Sequence, residues 1–228
     1  MTRAMPPAEN PRAASPVAAV TVDNNAMARP GDFPGIELLH TRRLRLRGFC
    51  ARDLPGLLQL GQTTRVTERL LDQPLSTLLE VCAFLDWINC FYRQHPGLGI
   101  WHAEAVDKGF IGFFSLMPEQ GSGEISLGAR MLPSAWGRGY SLEGGAALCE
   151  HALGALQLPQ LIGQCDPGNR SVPPLLARLG FTPDGETMQA GKPALRFVLR
   201  RQDWNGIRRR TRGDVDATSI AGRRPGPG

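Results

Sequence analysis

The segment best suited to chemistry is a glycine-rich loop that precedes an apolar-periodic stretch, Trp136-Gly137-Arg138-Gly139-Tyr140-Ser141. Glycines at 137 and 139 let the backbone turn tightly and let an anion approach its N–H groups. At the start of a helix these groups join the positive end of the helix dipole, and Arg138 adds a charge that can neutralise phosphate. The loop is a candidate pyrophosphate cradle, although a plain strand-to-helix turn would have the same local signature.

Two other uses of such a loop fit less well. A dinucleotide-binding loop needs a third glycine at the position that Leu142 occupies. A nucleophile elbow needs Gly-x-Ser-x-Gly, but Glu143 replaces its last glycine. The downstream histidine, His151, lies ten residues after Ser141 on the same predicted helix and cannot form a triad with it.

The composition indicates a globular chain with an anionic ligand. Of 228 residues, 42% are hydrophobic, and the net charge is +5. No apolar run reaches the length of a membrane span and no clean signal peptide begins the chain, so we expect a cytoplasmic protein without a membrane partner. No nucleic-acid partner is expected, because aromatic and basic residues do not interleave. The five cysteines and four histidines show no metal-ligand spacing, so we expect no metal.

The charge and proline pattern divides the chain into three parts. Residues 1–35, rich in proline, alanine and small polar residues, predict a disordered arm. Residues 36–204 carry the periodic patterns of a folded domain. Residues 205–228 predict a disordered basic tail, with six arginines at Arg208, Arg209, Arg210, Arg212, Arg223 and Arg224.

Several secondary-structure elements can be predicted within the folded part. Leu44–Arg47 alternates strictly, which predicts a half-buried strand with its arginines on a solvated face. Asp53 can cap a short helix that ends at Gln62, and Leu75–Tyr92 predicts a longer helix with Ser76 as its cap.

The order of the remaining elements predicts the fold class. The patterns indicate, in chain order, strands at 102–106, 110–116 and 124–132, a helix at 141–156, a strand at 158–166, a short helix at 171–179 and a strand at 195–199. The first two strands form a hairpin, and the crossover from the third to the fourth implies parallel pairing. We therefore predict an α+β domain with a mixed, mostly antiparallel sheet and one parallel βαβ crossover.

The loop and its flanks, Ser134–Glu143, resemble the acetyl-CoA motif of the GNAT superfamily. The Trp-Gly-x-Gly-Tyr form is similar to the Rim-type branch of ribosomal-protein acetyltransferases. Four more segments resemble the family in the same order, namely Thr41–Arg47, Ile111–Phe113, Leu127–Pro133 and Asn169–Phe181. The resemblance covers about residues 36–204.

The resemblance implies an N-acyltransferase that uses acetyl-CoA as co-substrate. It implies direct attack of an amine in a ternary complex, with the co-substrate held where two parallel strands splay apart. The residues that it assigns to binding acetyl-CoA are Leu127, Met131, Leu132, Trp136, Gly137, Arg138, Gly139, Tyr140, Ser141 and Asn169.

The sequence departs from the family where proton transfer would occur. Leu176 stands where many relatives carry a tyrosine acid, and Val172 where Rim-type relatives often carry a serine. Ser171, one residue earlier, is the candidate acid, with a helix cap as its alternative role. The family's glutamate falls at Ser126, so Glu124, two residues earlier on the same face, is the predicted proton acceptor. Glu104 is a second candidate.

Two alternative functions remain open. The chain could be a degenerate module that binds acyl-CoA without transfer, or a basic adaptor that binds RNA or the ribosome through its tail. We expect the acceptor to be an amine on a protein N-terminus or a small molecule, and the protein to be a monomer or homodimer. Residues 60–75 and 182–193 are expected to shape the acceptor site.

Overall fold

The computed structural model describes residues 37–119 and 121–206. The predicted arm at 1–35 lies outside the described residues, and so does the predicted tail apart from residues 205 and 206. The domain limits at 36 and 204 remain predictions.

One mixed sheet of eight strands organises the described residues. Its strands are β1 (Glu37–His40), β2 (Leu44–Arg47), β3 (Gly99–Ala105), β4 (Gly109–Pro118), β5 (Ile125–Met131), β6 (Gln160–Cys165), β7 (Thr182–Gln189) and β8 (Lys192–Arg200). The spatial order is β1-β2-β3-β4-β5-β6-β8-β7. Each neighbouring pair is antiparallel except β5 and β6, which are parallel. The predicted α+β class and parallel crossover are confirmed, whereas β1 and β7 were not predicted.

In the described part of the chain, five α-helices cover the sheet: α1 (Leu54–Gln62), α2 (Thr64–Thr67), α3 (Leu78–Gln94), α4 (Tyr140–Cys149) and α5 (Val172–Arg178). Helix α4 continues as a π-helical turn, Glu150–Ala155, so the predicted helix at 141–156 is correct in extent but changes its winding. Within residues 37–119 and 121–206, no helix is long and apolar enough to cross a membrane.

The start of α3 differs from the prediction. The helix begins at Leu78, and its cap is Thr77 instead of Ser76. Thr77 Oγ1 accepts a hydrogen bond from the Glu80 amide at 3.3 Å, and the Glu80 carboxylate accepts from the Thr77 amide at 3.0 Å. This capping box requires a cap residue three positions before the glutamate, which selects Thr77.

The expectation that the arginines of β2 lie on a solvated face is wrong for Arg47. Arg45 is exposed, but Arg47 is only 5% exposed and donates to both oxygens of Asp53, at 2.6 and 2.7 Å. Asp53 precedes α1 but makes no side-chain cap there. Burial acts to raise the pKa of Asp53, but the hydrogen bonds from Arg47 and the Cys50 amide, together with nearby charges, outweigh it and lower that pKa. A buried arginine needs such a bidentate partner because an unpaired charge in the interior is costly.

Helix α4 lies very close to the sheet. A Cβ atom added at Gly144 would come within 2.2 Å of Phe114 Cζ, and Phe114 is fully buried in β4. A glycine is therefore needed at this contact, and the close approach fixes the start of α4 relative to β5, the neighbour of β4.

Candidate active site

The parallel strands β5 and β6 separate soon after they meet. Ser126 opposite Ile162 is the one ladder position at which they pair in the part of the chain that the structure describes. Strand β6 pairs with β8 along its whole length, and β5 pairs with β4. The stretch 127–131 of β5 consequently has one edge that is not paired to β6, and this edge borders a gap in the sheet.

A cleft of about 1080 Å³ occupies this gap. Its walls are β5 on one side, and Gln164 with the turn after β6 on the other. The glycine-rich loop and the first turn of α4 line one end, and the segment around α2 completes the lining. An extended ligand can therefore lie along the free edge of β5 with its end at the loop.

The loop presents unpaired amides to the cleft. Gly137 has φ +71° and Gly139 has φ +79°, values that favour glycine. A Cβ at Gly137 would meet no atom within 4 Å, so the space in front of it is open. The hydrogen bonds of α4 begin with the Glu143 amide donating to the Gly139 carbonyl at 3.0 Å. The amides of 140–142 therefore have no partner within the helix and remain available to an anion.

Two side chains of the loop fasten it to the sheet. Trp136 Nε1 donates to the Met131 carbonyl at 2.9 Å, at the end of β5. The Tyr140 hydroxyl donates to Asp107 Oδ1 at 2.9 Å, in the turn between β3 and β4. The ring of Tyr140 is buried, so its contribution to a ligand in the cleft comes from the backbone.

The lining is strongly cationic. Among the described residues, its charged members are one carboxylate and five guanidinium groups, namely Glu68, Arg65, Arg69, Arg130, Arg170 and Arg178. The amide cradle, the open space at Gly137 and this charge all suit a ligand that carries several phosphate groups.

The family comparison agrees with this geometry. The model of the acetyltransferase (GNAT) domain family matches residues 43–182, more than half of the chain. The chain belongs to the GNAT family of acetyltransferases.

Solved GNAT structures share the fold at low sequence identity. An acetyltransferase from Agrobacterium tumefaciens is 22% identical, with a TM-score of 0.61, over 79% of this chain and 99% of its own. A GNAT acetyltransferase from Bacillus anthracis is 14% identical, with a TM-score of 0.61, over 73% of this chain and 99% of its own. RimL, a ribosomal L7/L12 alpha-N-protein acetyltransferase in complex with coenzyme A, is 18% identical, with a TM-score of 0.62, over 72% of this chain and 97% of its own.

Most of the site residues predicted from the sequence meet in the cleft of this GNAT domain. Those that line it are Leu127, Met131, Trp136, Gly137, Gly139, Tyr140, Ser141, Asn169 and Ser171. Leu132 is instead buried against Leu60 and Val66. Arg138 lies outside the cleft, where its Nε donates to the Ser134 carbonyl at 3.0 Å.

The predicted proton acceptor, Glu124, does not line the cleft. Its carboxylate accepts two hydrogen bonds from Arg196, at 2.9 and 3.0 Å, and one from Gln160 at 2.7 Å. The bonds from Arg196 hold the pKa of Glu124 below its usual range. A carboxylate committed to an ion pair in this way is poorly suited to accept a proton from a substrate in the cleft.

The candidate acid, Ser171, lies in the cleft wall before α5. Its side chain makes no capping hydrogen bond to the helix, so the alternative role as a cap is not observed. Its amide instead donates to Asn169 Oδ1 at 3.2 Å, in a turn that the Asp166 carboxylate stabilises through the Gly168 amide at 2.7 Å. The turn thereby holds Asn169 and Ser171 side by side in the cleft wall.

The segment around α2 was not assigned individual site residues from the sequence. It contributes Arg65, Glu68 and Arg69 to the lining, although residues 60–75 were expected to shape the acceptor site. The helix is one turn long and has no apolar period, so no local signal indicated which of its side chains face the cleft.

Proposed function

We propose that this chain transfers an acetyl group from acetyl-CoA to a primary amine by direct attack within a ternary complex. The observation that carries the proposal is the cleft between β5 and β6, which ends at the unpaired amides of the glycine-rich loop. GNAT acetyltransferases use acetyl-CoA, and the structurally similar RimL is in complex with coenzyme A.

The chain offers a binding group for each part of acetyl-CoA. The amides from Gly137 to Ser141 would bind the pyrophosphate, and the free edge of Leu127–Met131 would pair with the pantetheine amides. Asn169 would bind from the opposite wall. Acetyl-CoA supplies an activated thioester when bound, so the protein has to orient the amine and assist proton transfer.

Charge supports this assignment. Five lining arginines face a ligand that carries a pyrophosphate and a further phosphate. Since the cleft is partly enclosed, these charges are screened less than charges on an open surface. The basic cleft would therefore draw the anionic co-substrate towards the loop.

Ser171 is the proposed proton donor to the departing sulfur. Its hydroxyl is free of a helix-capping bond and lies in the wall that faces β5. A hydroxyl at this place can donate a hydrogen bond to a developing thiolate and lower the barrier for its departure.

The acceptor class that we propose is the α-amino group of a protein or peptide. The support is the structural likeness to RimL, a ribosomal L7/L12 alpha-N-protein acetyltransferase. Glu68, in the segment after α2, is an exposed carboxylate in the cleft lining, and such a group suits a protonated amine. A small amine is the alternative acceptor.

The test is calorimetric titration of acetyl-CoA into the wild type, Gly139→Trp and Gly185→Trp. Both glycines have positive φ, +79° and +94°, so the two substitutions impose a similar backbone strain. Gly139 lies in the loop, whereas Gly185 lies in β7 and does not line the cleft. We expect micromolar binding by the wild type and Gly185→Trp, and none by a folded Gly139→Trp.

The opposite results are equally informative. If the folded wild type fails to bind acetyl-CoA, the proposed function is wrong. If Gly139→Trp binds as tightly as Gly185→Trp, the co-substrate does not use the glycine-rich loop.

A further inference from the structure

The cleft contains a single negative group among its described lining residues. An α-amino group has a pKa of about 8 and therefore reaches the enzyme largely as an ammonium ion at neutral pH. The five lining arginines repel such a cation, whereas Glu68 attracts it. The amine must also lose a proton before it can attack, which requires a proton acceptor within hydrogen-bond reach.

The neighbouring carboxylates are already committed to other groups. Asp72 accepts two hydrogen bonds from Arg130, at 2.7 and 3.0 Å. Glu124 is bound by Arg196, and Asp166 accepts the Gly168 amide. Arginine partners neutralise Asp72 and Glu124, and none of the three carboxylates lines the cleft.

Glu68 differs from these groups in its surroundings. Among the described residues, its one polar side-chain partner is Arg69, with 3.8 Å between Glu68 Oε1 and Arg69 Nε. The Glu68 side chain is 55% exposed, so it remains accessible to a second substrate. An exposed pair at this distance contributes little and can be exchanged for a substrate ammonium at small cost.

The backbone around Glu68 is held between the two walls of the cleft. The Glu68 amide donates to the Thr64 carbonyl at 2.9 Å at the end of α2. On the loop side, the Arg65 guanidinium lies 4.9 Å from the ring centre of Trp136. On the opposite side, Arg69 Nη1 donates to the Gly168 carbonyl at 2.6 Å. Glu68 thus lies between contacts to the two walls that would hold the co-substrate.

The interior side of the same segment is packed. Val66 is 8% exposed and lies in a small apolar cluster with Leu60 and Leu132. Lys192 Nζ donates to the Leu70 carbonyl at 2.9 Å, which ties the segment to the hairpin of β7 and β8. The position of Glu68 is therefore defined by its neighbours even though its own side chain is exposed.

We propose that Glu68 binds the ammonium group of the acceptor and accepts its proton, an inference that rests on the proposed function. The ammonium gives one proton to the Glu68 carboxylate, and the freed lone pair forms the C–N bond to the acetyl carbon as the C–S bond breaks. The Ser171 hydroxyl gives its proton to the departing sulfur and takes the second proton from the nitrogen in return. Glu68 then releases its proton to solvent and returns to the carboxylate form.

The experiment compares the wild type with Glu68→Gln, Glu68→Asp and the control Asp86→Asn. Asp86 is exposed on α3 and does not line the cleft, so its substitution removes one carboxylate without touching the site. The probe is a pool of short peptides with free α-amino groups, one for each natural first residue, and mass spectrometry identifies the acetylated members. Calorimetry measures acetyl-CoA binding by each variant.

We expect Glu68→Gln to lower kcat/KM for the preferred peptide by about 100-fold or more, in the range of general-base effects. Its affinity for acetyl-CoA should stay within about twofold, because the substitution removes none of the groups that are proposed to bind acetyl-CoA. Both kcat and the KM for the peptide should change, since the carboxylate binds the amine and takes its proton. Glu68→Asp should recover part of kcat, and Asp86→Asn should match the wild type.

Three outcomes would overturn the inference. One is a Glu68→Gln enzyme with wild-type kcat/KM, and another is a loss of activity that Asp86→Asn shares. The third is a wild type that binds acetyl-CoA but acetylates no peptide of the pool. In that case the co-substrate site of the proposed function stands while the peptide amine at Glu68 is rejected.

Discussion

Arg43 and Glu143 join the strand β2 to the first turn of α4. Arg43 Nε donates to Glu143 Oε2 at 2.6 Å, and the Arg43 amide donates to Oε1 at 2.9 Å. The Thr41 hydroxyl donates to the same oxygen at 2.6 Å, and Arg43 Nη1 reaches the Arg138 carbonyl at 3.0 Å. Burial acts to raise the pKa of Glu143, but the bonds from Thr41 and Arg43 outweigh it and lower that pKa. The network holds both the helix start and the glycine-rich loop against the sheet.

Glu143→Ala is therefore expected to disturb the loop without removing any group that faces the cleft. Loss of the carboxylate leaves Arg43 and Thr41 without their acceptor, and the loop amides become less well ordered. We expect acetyl-CoA binding to weaken by about tenfold, or about 1.4 kcal/mol, in calorimetry. Glu186→Ala, on exposed β7, should bind like the wild type. Equal affinity of the two variants would show that the network does not order the loop.

Gly144→Ala tests the close approach of α4 to the sheet. The new methyl group would lie 2.2 Å from Phe114 Cζ, and the buried ring has no free space into which it can move. We expect the free energy of unfolding, measured by urea denaturation, to fall by about 1–3 kcal/mol.

The matched control is Gly154→Ala. Its Cβ would lie 2.9 Å from Glu150 Oε1, the flexible end of a side chain that can move away. We expect no loss, or a gain of up to about 1 kcal/mol from the better helix propensity of alanine. A Gly144→Ala protein as stable as Gly154→Ala would contradict the close packing.

The buried His102 predicts a loss of stability on the acid side. Burial lowers the pKa of His102 to about 4, with Asp53 opposing the shift and Arg47 adding to it. Because Arg47 can only donate, His102 Nε2 accepts in this pair, at 3.3 Å, and the folded protein contains the neutral ring.

The sign of the pH dependence follows from that shift. The unfolded chain binds the histidine proton near its ordinary pKa, so between about pH 6.5 and pH 4 it holds more protons than the folded state. The contribution of His102 to the free energy of unfolding is fully present above this window. It falls by on the order of 3 kcal/mol as the pH decreases through the window. Denaturation at a series of pH values should show this slope in the wild type and in His40→Gln, where the histidine is exposed. The change of the free energy of unfolding with pH should be smaller in His102→Gln. If it is unchanged in that variant, other titratable groups cause the pH dependence.

Glu124→Gln separates structure from catalysis at the residue first predicted to accept the proton. The substitution removes the charge that Arg196 pairs with, and both side chains are partly exposed, so stability should fall by up to about 1 kcal/mol. Since Glu124 lies outside the cleft lining, we expect kcat to remain within about threefold of the wild type, whereas loss of a general base costs about 100-fold or more. Steady-state rates with the preferred peptide provide the measurement, and a loss of that larger size would return the role of base to Glu124.

Local chemistry in the sequence was sufficient to predict the main secondary-structure elements around the cleft. The glycines at 137 and 139 and the apolar period after them correctly predict the loop and α4, and the predicted short helix at 171–179 contains α5. Gly180, with φ +92°, follows α5 in the left-handed conformation that often ends a helix. These features depend on hydrogen bonds and sterics between residues a few positions apart, which sequence spacing encodes directly.

The sequence by itself determined the α+β class, the parallel crossover and the glycine-rich loop, because each follows from local periodicity and turn chemistry. Only the tertiary structure decided the partners of individual charges. Arg47 is buried because β3 and the turn before α1 enclose it, and Glu124 is committed to Arg196, 72 residues away in the chain. Glu68 faces the cleft because contacts to both walls hold its segment between them. Such contacts depend on the strand order and on how the chain returns to the sheet. Neither can be predicted from residues that are close together in the sequence.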